Sequence, residues 1–222
     1  MWQSLSKLEK NSVAVQIDLQ DPFNKYGANA GAIAKADLPF YQGAELLRVT
    51  NQSPAVGNRY FILHDQELVP LHALDGIQSF CDNHFGVSLD SSTVADYFRF
   101  AHFFSDMGQN TSLVETPHDL RIDPSSASPE KQKAIAFIKP PEIKGEEGGV
   151  TVTACTYDER PSRLFRDSYR LTPGQPLQLL KREDSGINLG NAFLDKQLKI
   201  GRTDTRPFDA RPGGQPAPEL RM

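Results

Sequence analysis

The chain has 222 residues, of which 38% are apolar, and this is enough to build the core of one large globular domain or two small ones. Its formal net charge of −4 gives the whole molecule no electrostatic attraction to nucleic acid or to anionic lipid. No stretch approaches about 18 consecutive apolar residues, which excludes an evident membrane-spanning helix.

The N-terminal elements are predicted from the spacing of apolar residues. Apolar residues three apart predict a short helix over residues 2–8, and apolar residues two apart predict a strand over residues 13–17. Residues 21–37 show no firm period, so we expect a loop or a weak helix there.

Three strands are predicted next, over residues 45–50, 59–63 and 67–71. The last two form a hairpin that turns at residues 65–66. Pro70 cannot donate a backbone hydrogen bond, which predicts that the third strand lies at the edge of its sheet.

The middle of the chain is predicted to be helical. Residues 74–83 predict a short helix, and residues 92–107 predict a core helix because their aromatic residues recur at a helical period. Asp90 to Thr93 offer caps at its start, and Gly108 is expected to end it. The aromatic residues of this helix are Tyr97, Phe98, Phe100, Phe103 and Phe104.

Two positions of this helix interrupt its apolar arc. Arg99 lies at helical spacing from Asp96, so an ion pair between them is expected. Phe103 falls among the charged positions, where it either packs under a neighbouring loop or serves as an exposed aromatic that binds a partner.

The segments that follow carry weaker patterns. A strand is predicted over residues 112–116 and a turn-rich connection over residues 123–129, whereas residues 133–139 fit either a helix or a strand. The prolines and glycines of residues 140–149 predict an exposed, mobile loop.

The strongest β pattern spans residues 150–181 and predicts a three-stranded meander. In its middle strand Phe165, Tyr169 and Leu171 share one face, which is expected to meet the core. Arg166 and Arg170 share the opposite face with Ser168.

These elements predict an α+β fold, in which a mainly antiparallel sheet packs on the aromatic helix at about 92–107 and the chain ends in the meander at about 150–181. Residues 1–200 are expected to form one domain, although two lobes that meet near residues 123–129 are the alternative. A short helix is predicted over residues 190–200 and a flexible, Pro- and Gly-rich tail over residues 201–222.

Sequence motifs for known chemistry are missing. The chain has no phosphate-binding loop, no dinucleotide fingerprint, no nucleophile elbow and no zinc-ligand spacing, so no cofactor or metal is predicted and enzymatic activity is undecided. Cys81 and Cys155 lie in apolar surroundings, where they are expected to pack rather than react. With only these cysteines and no segment that resembles a signal peptide, we expect a reduced, cytoplasmic protein.

One group of titratable residues could support acid–base chemistry. The predicted hairpin places His64 opposite Glu67, and His72 and Asp75 follow closely in the chain. The same residues, with Asp65, equally fit cross-strand stabilisation on a solvated surface.

A second group is basic. Residues 160–182 contain six basic residues and one acidic residue, and Arg163, Arg166 and Arg170 lie on the middle strand of the meander. These arginines could bind an acidic protein or an anionic small ligand, or they could pair with carboxylates of the same molecule.

From these patterns we expect a non-catalytic protein-binding or assembly domain that uses Arg163, Arg166, Arg170 and Phe103. The alternative is a small-molecule enzyme that uses the cluster from His64 to Asp75. The sequence leaves the oligomeric state open.

Overall fold

The computed structural model describes residues 2–20, 26–53, 57–71, 76–105, 108, 110–126, 128–146, 148–190 and 198–201. Its α-helices are α1 (Lys7–Gln20), α2 (Ile77–Phe85), α3 (Val94–Phe104) and α4 (Pro129–Phe137). The first five strands are β1 (Gln3–Ser4), β2 (Ala30–Asp37), β3 (Glu45–Asn51), β4 (Asn58–His64) and β5 (Glu67–Pro70). The other five strands are β6 (Thr111–Leu113), β7 (Glu142–Glu146), β8 (Gly149–Asp158), β9 (Arg163–Leu171) and β10 (Gln178–Asn188).

The strands form two antiparallel sheets. The first sheet has the order β1-β2-β3-β4-β5, and the second has the order β10-β9-β8-β6 with β7 also paired to β8. Strands β6 and β7 pair with opposite ends of β8. The predicted α+β class and the C-terminal meander are therefore confirmed.

Helix α3 lies between the two sheets, and every residue from Val94 to His102 is buried. On one side Phe104 meets Tyr60 of β4, with ring centroids 5.6 Å apart. On the other side Phe98 meets Tyr169 of β9 at 5.4 Å. The predicted core helix is thus confirmed, although it is buried on its polar arc as well, because a sheet covers each side.

The ends of α3 differ from the prediction at one point. Asp90 accepts hydrogen bonds from the backbone N–H groups of Ser92 and Thr93, as expected of a residue at a helix start. The helix ends at Phe104 rather than at Gly108, because Ser105 adopts an extended conformation and its hydroxyl donates to the carbonyl of His102.

Helix α1 covers the opposite face of the first sheet, where Val13 and Ile17 pack against a separate apolar cluster that includes Leu47 and Phe61. The strand predicted over residues 13–17 is wrong. Val13 and Ile17 are four residues apart and share the inner face of the helix, while the intervening Val15 is exposed.

Strand β2 occupies part of a segment that was predicted to be a loop or a weak helix. Its buried positions include Ala30 and Ala36, whose small side chains give a weak hydrophobic pattern. The strand is held instead by its register with β3, in which Ile33 faces Val49 and Ala36 faces Leu46.

The predicted hairpin between β4 and β5 is confirmed, and His64 is the register partner of Glu67. Asp65 and Gln66 form its turn, with φ angles of 46° and 68°. Positive φ at both central residues matches the two-residue turns whose twist suits a hairpin. Strand β5 lies at the edge of the sheet, as Pro70 predicted.

The second sheet includes a strand that the sequence did not predict. The segment 140–149, expected to be a mobile loop, contains β7, in which Ile143 pairs with Val152 and Glu146 with Gly149. Gly148 takes a φ of 75° in the tight turn between β7 and β8. Residues 133–139, which were left undecided, belong mainly to α4.

One face of the second sheet packs on α3, as predicted for Phe165, Tyr169 and Leu171, all of which are buried. The opposite face is covered only in part. Helix α4 and neighbouring residues cover Cys155 and Leu164 there.

The predicted helix over residues 190–200 and the predicted tail over residues 201–222 lie largely outside the described residues. Residues 198–201 are described, and both Leu198 and Ile200 are buried. The indole Nε1–H of Trp2 donates to the carbonyl of Leu198 at 2.9 Å, which fixes this segment beside β1. The single domain over residues 1–200 stays a prediction.

Candidate functional site

Strand β10 forms an open border of the second sheet. It pairs with β9 on one side, and among the described residues no strand pairs with its other side. Nine of its eleven residues are exposed, all but Ser185 and Ile187. Leu179 and Leu180 are 37% and 50% exposed. This border, residues 178–188, is named the β10 edge below.

The β10 edge is regular only in its centre. Its pairing with β9 is irregular between Leu179 and Lys181 and again between Asp184 and Asn188, where Gly186 has a φ of 70°. Between these points residues 181–184 pair regularly with β9. Bulges of this kind limit the length of a ladder that another strand can form.

An ion pair between Arg182, at the surface, and Asp167, in the interior, holds β10 against β9. Arg182 donates through Nε and Nη2 to the two carboxylate oxygens of Asp167, at 2.9 and 2.7 Å. The guanidinium of Arg182 also lies 4.6 Å from the ring centroid of Phe165. The Asp167 side chain is fully buried, so this contact fixes the position of the strand.

Two hydroxyl groups complete the surroundings of Asp167. Thr156 and Tyr169 donate to its Oδ2 at 2.7 and 3.0 Å. Asp167 alternates with Phe165 and Tyr169 in β9 and so lies on the core-facing side, but no sequence pattern indicated that Arg182 would be its partner.

The three predicted binding arginines all have acidic partners. Arg163 Nη1 lies 2.7 Å from Asp184 Oδ2. Arg166 Nη2 lies 2.9 Å from Glu142 Oε1. Arg170 Nη1 lies 3.8 Å from Glu146 Oε2. The excess positive charge of residues 160–182 is thus opposed by carboxylates from β7 and β10.

The partners of Arg166 and Arg170 follow from the sheet topology. Strands β7 and β9 are both antiparallel to β8, so they run parallel to each other on its two sides. Glu142 and Glu146 have the same four-residue spacing as the two arginines. Their long side chains reach across β8, so the arginines are oriented on the open face before any partner binds.

Phe103 lies apart from these arginines. It is half-buried and packs against Tyr60 of β4 in the first sheet, with ring centroids 5.3 Å apart. The arginines belong to the second sheet, so the structure does not join Phe103 and the arginines into one surface.

The predicted acid–base cluster is only partly visible, because His72 and Asp75 lie outside the described residues. His64 Nε2 lies 3.1 Å from the carbonyl oxygen of Gln42, so this nitrogen is assigned as the donor. Its Nδ1 lies 3.8 Å from a carboxylate oxygen of Asp65.

A residue that the sequence analysis did not single out joins this cluster. His84 of α2 places Nε2 3.2 Å from Oε2 of Glu67. Its ring stacks on Phe80, with centroids 5.3 Å apart, and Phe85 contacts both histidine rings. Spacing along the chain gave no signal for His84, because α2 and the β4–β5 hairpin meet only in the folded protein.

The described part of the chain has no group of three or more residues that could hold a metal ion. Cys81 and Cys155 are buried, as predicted. Burial raises the pKa of each thiol to about 12, so both remain protonated near neutral pH. Burial lowers the pKa of His102 to about 4, which keeps that ring neutral.

None of the described helices is both long enough and apolar enough to cross a membrane. Comparisons of the chain with protein-family models, curated proteins and solved structures return no match.

Proposed function

We propose that the chain is a non-catalytic protein-binding domain that takes up an extended segment of a partner protein along the β10 edge. The observation that carries this proposal is the exposure of nine of the eleven residues of an edge strand, including two adjacent leucines. An open edge presents backbone donors and acceptors to which a partner strand can add.

The ion pair between Arg182 and Asp167 supports this use of the strand. It anchors β10 to the sheet from the core side and so holds the exposed side in one conformation. Binding to a strand that is already ordered loses less conformational entropy than binding to a loose segment.

The exposed side chains indicate the chemistry of the partner segment. Leu179 and Leu180 favour an apolar residue at one end, and Lys181, once released from its ion pair with Glu183, favours an acidic residue beside it. We therefore expect an extended segment in which an apolar residue is followed by carboxylates, which agrees with the acidic partner that the sequence predicts.

The arginines of β9 would supply selectivity. Arg166 and Arg170 can exchange Glu142 and Glu146 for carboxylates of the partner. Because one ion pair replaces another, the net gain in binding free energy is small, and the main effect is to reject basic partners.

A displayed library of random eleven-residue segments, matching the length of β10, tests the proposal. We expect selected segments to slow amide hydrogen exchange in β10 and to lose binding to the variant Leu180→Glu/Lys181→Glu. The control Lys131→Glu alters an exposed residue of α4 and should bind normally. Binding that protects another element, or that survives the β10 variant, would overturn the proposal.

A second candidate function, proton-transfer chemistry on a small molecule, is favoured by Glu67, whose carboxylate contacts His84 and whose register partner is His64. The chromogenic ester p-nitrophenyl acetate is a suitable probe. If this candidate is right, the His64→Gln variant cleaves the ester more slowly than the unmodified protein. The control variant His118→Gln, at an exposed position, cleaves it at the unmodified rate. Equal rates in all three proteins would remove it.

A further inference from the structure

A cavity of about 290 Å³ lies between α1 and the first sheet, away from the β10 edge. Helix α1 packs tightly on the sheet at Val13 and Ile17, but a gap opens beside Lys35, Glu45 and Leu63. Its volume lies at the lower end of the range of about 300–1,000 Å³ found for small-molecule sites. The cavity therefore suits a small ligand.

The cavity has an apolar part and a polar part. Leu5, Val13, Leu47 and Leu63 supply the apolar part. Glu9, Ser12, Gln16, Lys35, Glu45 and Gln66 supply the polar part. Such a lining fits a molecule with a short hydrocarbon body and one polar group that fixes its orientation.

An unpaired acceptor lies in this lining. The side-chain Oε1 of Gln16 is buried and has no hydrogen-bond partner among the described residues. A buried amide oxygen without a donor carries an unrecovered desolvation penalty. This oxygen has almost no accessible surface, so a ligand N–H group reaches it, and removes the penalty, when the Gln16 side chain turns towards the cavity.

The charges of the cavity favour a cation. The lining contains two carboxylates, Glu9 and Glu45, and one ammonium group, that of Lys35; the Glu9 carboxylate also accepts hydrogen bonds from Ser6. Lys35 Nζ already lies 2.8 Å from Glu45 Oε1, which shows that an ammonium group fits against this carboxylate. This hydrogen bond raises the pKa of Lys35, so its ammonium group stays charged at neutral pH.

From these contacts we propose that the cavity is a binding site for a small primary alkylamine. The ammonium group of the ligand donates to Glu45 and, once the Gln16 side chain has turned towards the cavity, to Gln16 Oε1. The alkyl chain of the ligand packs against Leu47 and Leu63. The Lys35 side chain competes with the ligand for Glu45, so it limits the affinity of the site.

Hexylammonium is a suitable probe, and hexanoate is a control of the same chain length and opposite charge. We expect saturable shifts of the Val13, Leu47 and Leu63 methyl signals in a nuclear magnetic resonance titration with hexylammonium up to about 10 mM, the range of a weak fragment-sized ligand. Hexanoate should produce none. Equal shifts with both compounds, or no saturation, would overturn the proposal.

Two variants shift the affinity in opposite directions. Glu45→Gln removes the charged acceptor and should weaken hexylammonium binding by about tenfold. Lys35→Met removes the internal competitor and should strengthen it severalfold. Glu130→Gln, at an exposed position of α4, should leave binding unchanged. If both variants bound hexylammonium with the affinity of the unmodified protein, the association would depend only on apolar contacts. That result would exclude the proposed site.

Discussion

The guanidinium of Arg99 and the carboxylate of Glu115 form a two-fold hydrogen-bonded ion pair inside the protein, with both contacts 2.8 Å long. The side chains are 2% and 3% exposed. Asp96 accepts a third hydrogen bond, from Arg99 Nη1 at 2.6 Å. Burial alone would lower the pKa of Arg99, but the two carboxylates reverse this effect, so its pKa is raised and its charge is retained.

Replacing Arg99 with methionine is expected to lower the free energy of unfolding by about 3–5 kcal/mol, because it leaves buried carboxylates without their cation. Urea denaturation measures this loss. The double variant Arg99→Met/Glu115→Leu should recover much of it, since it removes a charge of each sign.

The matched control is Lys133→Met in α4, where Lys133 and Glu130 form an exposed ion pair 3.1 Å long. A change within about 0.5 kcal/mol is expected for this control. If Arg99→Met were no more destabilising than Lys133→Met, the buried cluster would not stabilise the fold.

A second prediction concerns Phe98, which is completely buried between α3 and β9. Phe98→Ala should lower the free energy of unfolding by about 3–5 kcal/mol, through lost apolar burial and the cavity left behind. Phe80→Ala is the control, because Phe80 is 37% exposed and should lose about 1 kcal/mol or less. Similar losses for both variants would contradict the position of α3 between two sheets.

The sequence predicted the elements whose side chains carry a clear local pattern. The aromatic helix, the hairpin at Asp65 and the meander after Val150 all have such patterns, and all are confirmed. The strand predicted over residues 13–17 is wrong because an alternation of three apolar residues fits a strand as well as a helix. Strand β7 was missed because its glycines and charges indicate a loop, whereas pairing with β8 determines its conformation.

Contacts between distant segments could not be predicted. Glu115, His84 and Asp167 gain their roles from partners on other elements, and no periodicity identifies such partners. The basic residues of β9 were recognised, but the carboxylates opposite them became apparent only with the order of the strands. The candidate site is therefore a property of the topology more than of any local motif.

A third prediction concerns pH. Burial lowers the pKa of His102 to about 4, from an ordinary value of 6.5; among nearby charges, Asp167 opposes this shift and Arg182 adds to it. His102 therefore takes up a proton near pH 6.5 in the unfolded chain, but only near pH 4 in the folded protein. The part of the free energy of unfolding that depends on a neutral His102 is fully present above pH 6.5 and is lost as the pH falls towards 4.

Between pH 6.5 and pH 5 we expect the free energy of unfolding to decrease by about 2 kcal/mol, since the limiting slope is about 1.4 kcal/mol per pH unit. Denaturation curves at several pH values measure it. His102→Gln removes the titrating group and should flatten the curve in this window. An equally steep curve for that variant would assign the pH dependence to other groups.

The last prediction concerns the anchor of β10. Arg182→Met should leave the carboxylate of Asp167 fully buried, with only the hydroxyls of Thr156 and Tyr169 to donate to it. A buried charge that loses its partner destabilises the structure around it by about 3–5 kcal/mol. Because β10 is exposed along most of its length, the strain is relieved most easily when this strand separates from β9.

Amide hydrogen exchange distinguishes this local opening from global unfolding. In Arg182→Met the amides within residues 181–184 that donate to β9 should exchange faster by at least about tenfold, whereas those of β8, at the centre of the sheet, should keep most of their protection. Arg182→Met/Asp167→Asn should restore protection in part, because an asparagine oxygen still accepts from Thr156 and Tyr169 without a buried charge. Uniform acceleration throughout the sheet would mean that the ion pair stabilises the whole fold, and unchanged exchange in β10 would mean that the ladder with β9 holds the strand without it.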